Sequence, residues 1–450
     1  MGQQIEQLAQ FVANTQWKDL PERVQRQSKL VLMDTVGVIL AGSLRPEVQK
    51  LRERLTAGAG TGATIYARGC PSHDARTAAL LNGIAGRAIE LCEGLRLVSG
   101  QAGVQTLPGI LATAETIDCK GSDVLAALAL GYDVAGRLGL AFTPRPLAHQ
   151  NGQVVMLAAA AAGARVRGMN AEQVSLAMRV ATTLVLTPSY SNAVAGATAL
   201  NVAGGMSSYV GALAPELVLA GFDAQTDAVE EALGQLVGGG FKPDNLLEGL
   251  GTRWHITENY FRMYACCNPV HPALDAIKAV TDKLKPRPDE IERIDVATYR
   301  FASVMNNSDP PNFFASKYSL PHAAAVLIVK GKAGHNEIDD QAVRDPVISA
   351  LRRRVHMKED PAMTAVAPRL RPARVTMTLK DGRTATESRD SHRGDFSEPY
   401  EESELRGKFR ELAGLVLTQR GVAQVENALD AFEGNNVRRF IETLRNSIAS

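Results

Sequence analysis

Residues 249–277 read GLGTRWHITENYFRMYACCNPVHPALDAI, and the character of the chain changes across them. Before this stretch, from Ile5 to about Gly251, nearly everything carries helical periodicity. After it, the amphipathic segment DAIKAVTDKL runs into the breaker KPRP, and then RIDVATYRFA alternates with period two. The stretch is a join between two blocks. It gathers Trp254, His255, Tyr260, Arg262, Tyr264, Cys266, Cys267 and His271, and pockets favour such joins. An interdomain hinge with aromatics in its core explains the same residues without chemistry.

Working outward towards the N-terminus, Ile5, Leu8, Phe11 and Val12 share one helical face, and Asp19 is placed to cap the helix that follows. That helix runs through VQRQSKLVLMDTVGVILAG, apolar nearly all round, so it is central; Asp34 inside it is a paired buried acid or a site residue. Further helices fit 76–91, 106–117, 122–138, 153–167, 171–186, 201–220 and 226–235. Several are rich in alanine and glycine, which lets backbones approach closely. Towards the C-terminus, HAAAVLIVKG and VISALRRRV read as short helices. ARVTMTLKDGRTATES reads as a hairpin turning at Asp381-Gly382. Residues 402–449 return to amphipathic helix and rejoin the first block.

A chain of 450 residues exceeds one core and predicts two domains. Hydrophobic residues make up 45% and charged residues 22%, which excludes a disordered chain. Lys+Arg 49 against Asp+Glu 48 leaves no basic footprint for nucleic acid. Five cysteines, an odd number, are expected to be reduced thiols. The start MGQQIEQLAQFVANTQ carries acids and reads as neither signal nor transit peptide. The apolar run VVMLAAAAAGA at 154–164 is too short to span a bilayer, so a cytoplasmic protein without membrane association is expected.

No phosphate-binding glycine loop is present: VGGGF at 237–241 lacks the following lysine or serine and reads as a turn. Adjacent Cys266 and Cys267 are a poor zinc pair, and neither a metal nor another cofactor is expected. Three further stretches stand out. ELCEGLRLVSGQAGVQTLPG at 90–109 brings Glu90 and Glu93 near Arg96, with Gln101 where an acid–base enzyme would want histidine. RPLAHQNGQVV at 145–155 places His149 just before a helix, as a proton shuttle or as an ordinary loop residue. FFASKYSLPHAAAV at 313–326 puts Lys317, Tyr318 and Ser319 before a buried helix, and capping alone explains the serine.

Together with MDTVGVILAG, NGIAGRAIELCEG, GYDVAGRL, AHQNGQVVMLAAAAAGA, ASKYSLPHAAAVLIVKG and RVTMTLKDGRTAT, these stretches make the chain resemble the MmgE/PrpD family over nearly its whole length. The resemblance implies a mainly α protein with an α+β second domain. A large all-helical domain is formed by both chain ends, 1–265 and 402–450, and a smaller α+β lid by 266–401. It also implies a homodimer and an active site between domain and lid. The implied chemistry is cofactor-independent, at a carbon next to a carboxylate of a small organic acid. Glu90 and Glu93 match the family's acidic cluster, with Cys92 where another acid is common. Gln101-Ala102 replaces a histidine–proline, Leu200 stands near a basic position, and Arg262 stands where lysine is usual. His149, Tyr264, Cys267 and His271 match, and Lys317, Tyr318 and Ser319 fall on the lid motif.

The implied roles are His149 as base, Tyr264 or Tyr318 as acid and His271 as second proton carrier. Arg262 and Lys317 become carboxylate clamps; Glu90, Glu93, Arg96, Gln101 and Ser319 complete the substrate contacts. The expected activity is that of a dehydratase-like lyase. Alternatives are an epimerase or racemase of a small carboxylate, such as an iminodisuccinate-like compound, and a metabolite-binding member without catalysis.

Overall fold

In the computed structural model, which describes residues 2–58, 60–98 and 100–449, small side chains set how the helical body packs. The helix Ala199–Leu219 lies against Ala75–Arg87, Ala102–Ile117 and Val154–Val166. A Cβ added at Gly163 would overlap the carbonyl of Gly211, and one at Gly42 would overlap that of Ala85. The crossings are thus backbone to backbone, and any larger residue must separate the helices. By length and composition alone, Gly121–Ala141 and Ala199–Leu219 are long and apolar enough to cross a membrane, contrary to the expectation from residues 154–164. Burial inside the body accounts for most of that apolarity, 89% of the first window and 61% of the second.

One hydrophobic core runs from Ile5 and Leu8 through Val155 and Met178 to Phe409, Phe440 and Leu444, so both chain ends build it. The C-terminal helix Glu402–Ala413 packs on Glu22–Gly42. There Lys408 Nζ donates to Asp34 Oδ1 at 2.5 Å and to the Leu91 carbonyl at 2.7 Å. Asp34 is therefore the paired buried acid. A second core, including Leu274, Val296, Val326 and Met377, belongs to the α+β part.

That part holds a four-stranded sheet in the order Thr384–Arg389, Ala373–Leu379, Ile291–Thr298, Val355–Glu359. The first two pairings are antiparallel and the last is parallel. Val375, Met377 and Leu379 face the core, and Gly382 takes the positive φ of 89° that the hairpin turn requires. His271–Leu284 packs across this sheet. The join folds as a 3-10 turn at His255–Glu258, a two-residue strand Asn259–Tyr260 paired with Gly94–Leu95, and a second 3-10 turn at Asn268–Val270.

Two local expectations are corrected. Gly238–Phe241 is a strand paired with Phe142–Pro144, because glycines permit the close approach that a turn reading ignored. Asp19 caps its own 3-10 turn through the Gln16 N–H at 2.9 Å, while the next helix starts behind Pro21 without a side-chain cap.

Candidate active site

A small cavity of about 30 Å³ lies where helical body and α+β part meet. Arg87 is the last residue of Ala75–Arg87, and Glu90 follows in a left-handed conformation with φ 50°. A non-glycine residue held there marks a constraint imposed by its surroundings. Those surroundings are two guanidinium groups: Arg87 bonds Glu90 Oε1, and Arg262 Nη1 donates to Glu90 Oε2 at 2.9 Å. Burial alone would raise the Glu90 pKa, but the two arginines hold it down at about 2. Cys92 Sγ accepts from both arginines at 3.1 Å, which locks the trio.

His149 enters from the loop before Val154–Val166, its backbone N–H donating to the Pro188 carbonyl at 2.8 Å. Its Nδ1 accepts the backbone N–H of Asn151 at 3.1 Å. Burial, and secondarily the Arg87 charge, push its pKa down to about 3. A neutral imidazole that accepts at Nδ1 carries its hydrogen on Nε2. In this state Nε2 is a donor and does not accept a proton. Tyr190 stacks on the ring at 5.3 Å, and Phe301 of the α+β part packs on Tyr190 at 5.0 Å. Phe301 is 42% exposed, so Tyr190 and Phe301 form the outer wall, one from each domain.

Tyr318 lines the cavity from the other domain, 6.5 Å from the Tyr190 ring and backed by Phe314 and Leu200. Burial raises its phenol pKa, so it stays protonated. Leu200, near a position where the family resemblance implied a cation, is packed behind Tyr318 and does not line the cavity. Gln101, the N-cap position of Ala102–Ile117, also lines the cavity and leaves Oε1 without a partner among the described residues. Asn268 and Arg371 complete the floor.

Of the residues singled out from sequence, Glu90, Gln101, His149, Tyr260, Arg262, Cys267 and Tyr318 therefore converge. Arg262 does so as framework: its N–H groups are taken by Cys92 O at 2.6 Å, Glu90, Cys266 O at 3.2 Å and Cys92 Sγ, leaving no fork for a substrate. The others lie off the cavity. Glu93 accepts the N–H of Gly103 at 2.8 Å and of Val104 at 3.4 Å, and the Tyr132 hydroxyl at 2.5 Å. It holds the start of a helix. Arg96 bridges to the α+β part through the Arg369 carbonyl and Asp395, each at 3.2 Å. Tyr264 donates to Asp275 at 2.8 Å in a separate cleft, and His271 sits against the Cys266 carbonyl at 3.1 Å. Lys317 gives its ammonium to the Ile338 carbonyl at 3.0 Å and lies over Phe313, with burial taking its pKa down to about 7. Ser319 caps its helix at the His322 N–H, as the simpler reading had it.

Arg87, Tyr190, Phe301 and Arg371 escaped the sequence reading. Each sits in an unremarkable helix or loop, and only the approach of distant segments gives it a role. Among the described residues no group of acids, histidines and cysteines could hold a metal ion.

Comparison with known proteins agrees with the architecture. The MmgE/PrpD N-terminal domain matches residues 6–242 and the MmgE/PrpD C-terminal domain matches residues 264–431. Cis-aconitate decarboxylase of Aspergillus terreus is 24% identical over 94% of this chain and 91% of its own length. The proteins of the same name from Mus musculus and Homo sapiens are each 23% identical, over 95% and 89% of this chain and 90% and 85% of theirs. With relatives that are lyases by name and a helical body joined to a small α+β part around one polar cavity, the chain belongs to the MmgE/PrpD family.

Proposed function

We propose that the protein is a cofactor-independent lyase acting on a small organic acid, and that the reaction its site favours is loss of CO2. The observation that carries this is the balance of donors and acceptors. At the cavity the His149 Nε2–H and the hydroxyls of Tyr190 and Tyr318 offer hydrogens, and the unpartnered Gln101 Oε1 is an amide oxygen, which accepts a hydrogen bond but takes no proton from carbon. Glu90 is ionised, but two arginines hold it at about 2, which makes it a weak base.

Removing a proton from carbon beside a carboxylate needs a strong, well-placed base. Decarboxylation does not. The C–C bond breaks, its electron pair stays on the substrate carbon, CO2 departs, and a donor returns a proton to that carbon. The His149 Nε2–H is the candidate electrophile for the developing enolate oxygen, in the manner of a neutral histidine whose pKa is lowered by its surroundings, here burial and the Arg87 charge. Tyr318 is the candidate proton donor. Tyr190, Phe301 and Tyr318 give the cavity an aromatic wall against which a carboxylate is less well solvated than CO2. The relatives named cis-aconitate decarboxylase support the same class.

A cavity of about 30 Å³ holds about two waters, and ligand sites usually need about ten times that volume. Substrate entry therefore requires the cavity to enlarge, and Tyr190 and Phe301 are its outer wall. The test is incubation with cis-aconitate and a panel of di- and tricarboxylates in deuterated water. The expected result is CO2 release with one solvent deuteron in the product. Solvent exchange into recovered substrate without CO2 would support an epimerase instead, an unsaturated product retaining every carboxylate would support a dehydratase, and either would overturn the decarboxylase reading.

A further inference from the structure

Arg371 precedes the strand Ala373–Leu379, is only 5% exposed and lines the cavity. One of its Nη groups donates to Asn268 Oδ1. Its remaining side-chain N–H groups meet no acceptor among the described residues, and no carboxylate pairs with it there. The other buried arginines of the cavity, Arg87 and Arg262, share Glu90. A buried, unpaired guanidinium is costly. What the site lacks is an anion.

Its partner Asn268 is itself oriented. Asn268 Nδ2 lies 2.7 Å from His392 Nε2, and His392 Nδ1 lies 2.7 Å from the Arg393 carbonyl. A carbonyl only accepts, so Nδ1 carries the hydrogen and Nε2 accepts from the Asn268 amide. That fixes the amide with its oxygen towards Arg371. The chain of bonds has one direction only: Arg371 to Asn268 to His392 to the Arg393 carbonyl.

We infer that Arg371 anchors the carboxylate that the substrate keeps, and that Asn268 and His392 are positioning residues that hold its fork open to the cavity. This rests on the reading that the cavity takes a small organic acid. A cation at the departing carboxylate would stabilise it against loss, so the charge belongs on the retained one. The substrate is then a di- or tricarboxylate, with its leaving carboxylate turned away from Arg371 towards Tyr318.

The test is calorimetric titration of malonate, succinate and cis-aconitate into the whole protein and into Arg371→Met, Arg371→Lys, His392→Leu and His392→Gln. Arg371→Met is expected to weaken binding about 10- to 100-fold, the span of a lost charge-assisted pair. It is also expected to raise the melting temperature of the free protein, because it removes an uncompensated buried charge. Arg371→Lys keeps the charge but loses the fork, and it should fall between. His392→Leu should weaken binding about fivefold, and His392→Gln, whose carbonyl can accept from Asn268, should restore it to within about twofold.

Unchanged affinity in Arg371→Met, or a fall in its melting temperature with no change in binding, would overturn the inference. So would the absence of saturable binding of all three acids to the unaltered protein. Binding that depends on Arg371 without any CO2 release would leave the anchor standing and remove the decarboxylase reading. Release of CO2 with a KM indifferent to Arg371 would do the reverse.

Discussion

Replacing Glu93 with glutamine is predicted to stabilise the protein at alkaline pH and to leave it nearly unchanged at mildly acidic pH. Burial is the largest influence on this carboxyl and raises its pKa; the Tyr132 hydroxyl opposes, the Asp34 charge adds to the rise, and the Gly103 and Val104 N–H groups oppose again. The balance takes it from 4.5 to about 7. A carboxyl raised on folding adds stability that is fully present below its unfolded value and is lost as pH rises through the folded one. The window is therefore 4.5 to about 7. At about 1.4 kcal/mol per tenfold change in acidity, the loss across it is about 3 kcal/mol.

Glutamine reproduces the protonated acid at Glu93. Its carbonyl can accept the two backbone N–H groups and its amide can donate to Tyr132. The assay is equilibrium urea denaturation of both proteins at about pH 5 and about pH 8, taking the difference so that other titrating groups cancel. A gain of up to about 3 kcal/mol at the higher pH, with near equality at the lower, is expected. A glutamine variant that is less stable at both pH values would refute the reasoning. It would mean that the helix N-terminus and Tyr132 outweigh burial and keep the carboxylate charged.

Two further predictions concern the cavity. Glu90→Gln should have the opposite sign and cost about 3–5 kcal/mol near neutral pH, because it leaves Arg87 and Arg262 buried without their acid. In the unaltered protein the stability linked to this ionisation is lost progressively as pH falls from 4.5 through about 2, and denaturation midpoints at neutral pH check the size. Nitrogen chemical shifts of His149 should show a neutral ring with its hydrogen on Nε2 from about pH 8 to about pH 4. An imidazolium near pH 6, or the hydrogen on Nδ1, would return His149 to the role of base.

The adjacent acids show how far the sequence could be read. Glu90 and Glu93 lie three apart in one motif and look alike, yet one sits between two arginines in the cavity and the other under a helix start. The left-handed turn at Glu90 sends them different ways. Arg262 and Lys317 were both legible as cations in the right motifs. Which of their N–H groups remained free depended on the Cys92, Cys266 and Ile338 carbonyls, and carbonyls have no sequence signature. Likewise the order of residues marks His149 as special but does not say which nitrogen holds its proton. The Asn151 N–H decides that.

By itself, the sequence determined the mainly helical class, the hairpin at Asp381-Gly382 and the family, because periodicity, turn chemistry and motif order are local properties of the chain. Tertiary structure alone decided which cations are spent on internal partners and which one, Arg371, is left facing the cavity. Hydrogen-bond saturation and burial depend on segments brought together from across the chain: Arg87, Arg262, Asn268, Arg371 and His392 meet only in the folded protein.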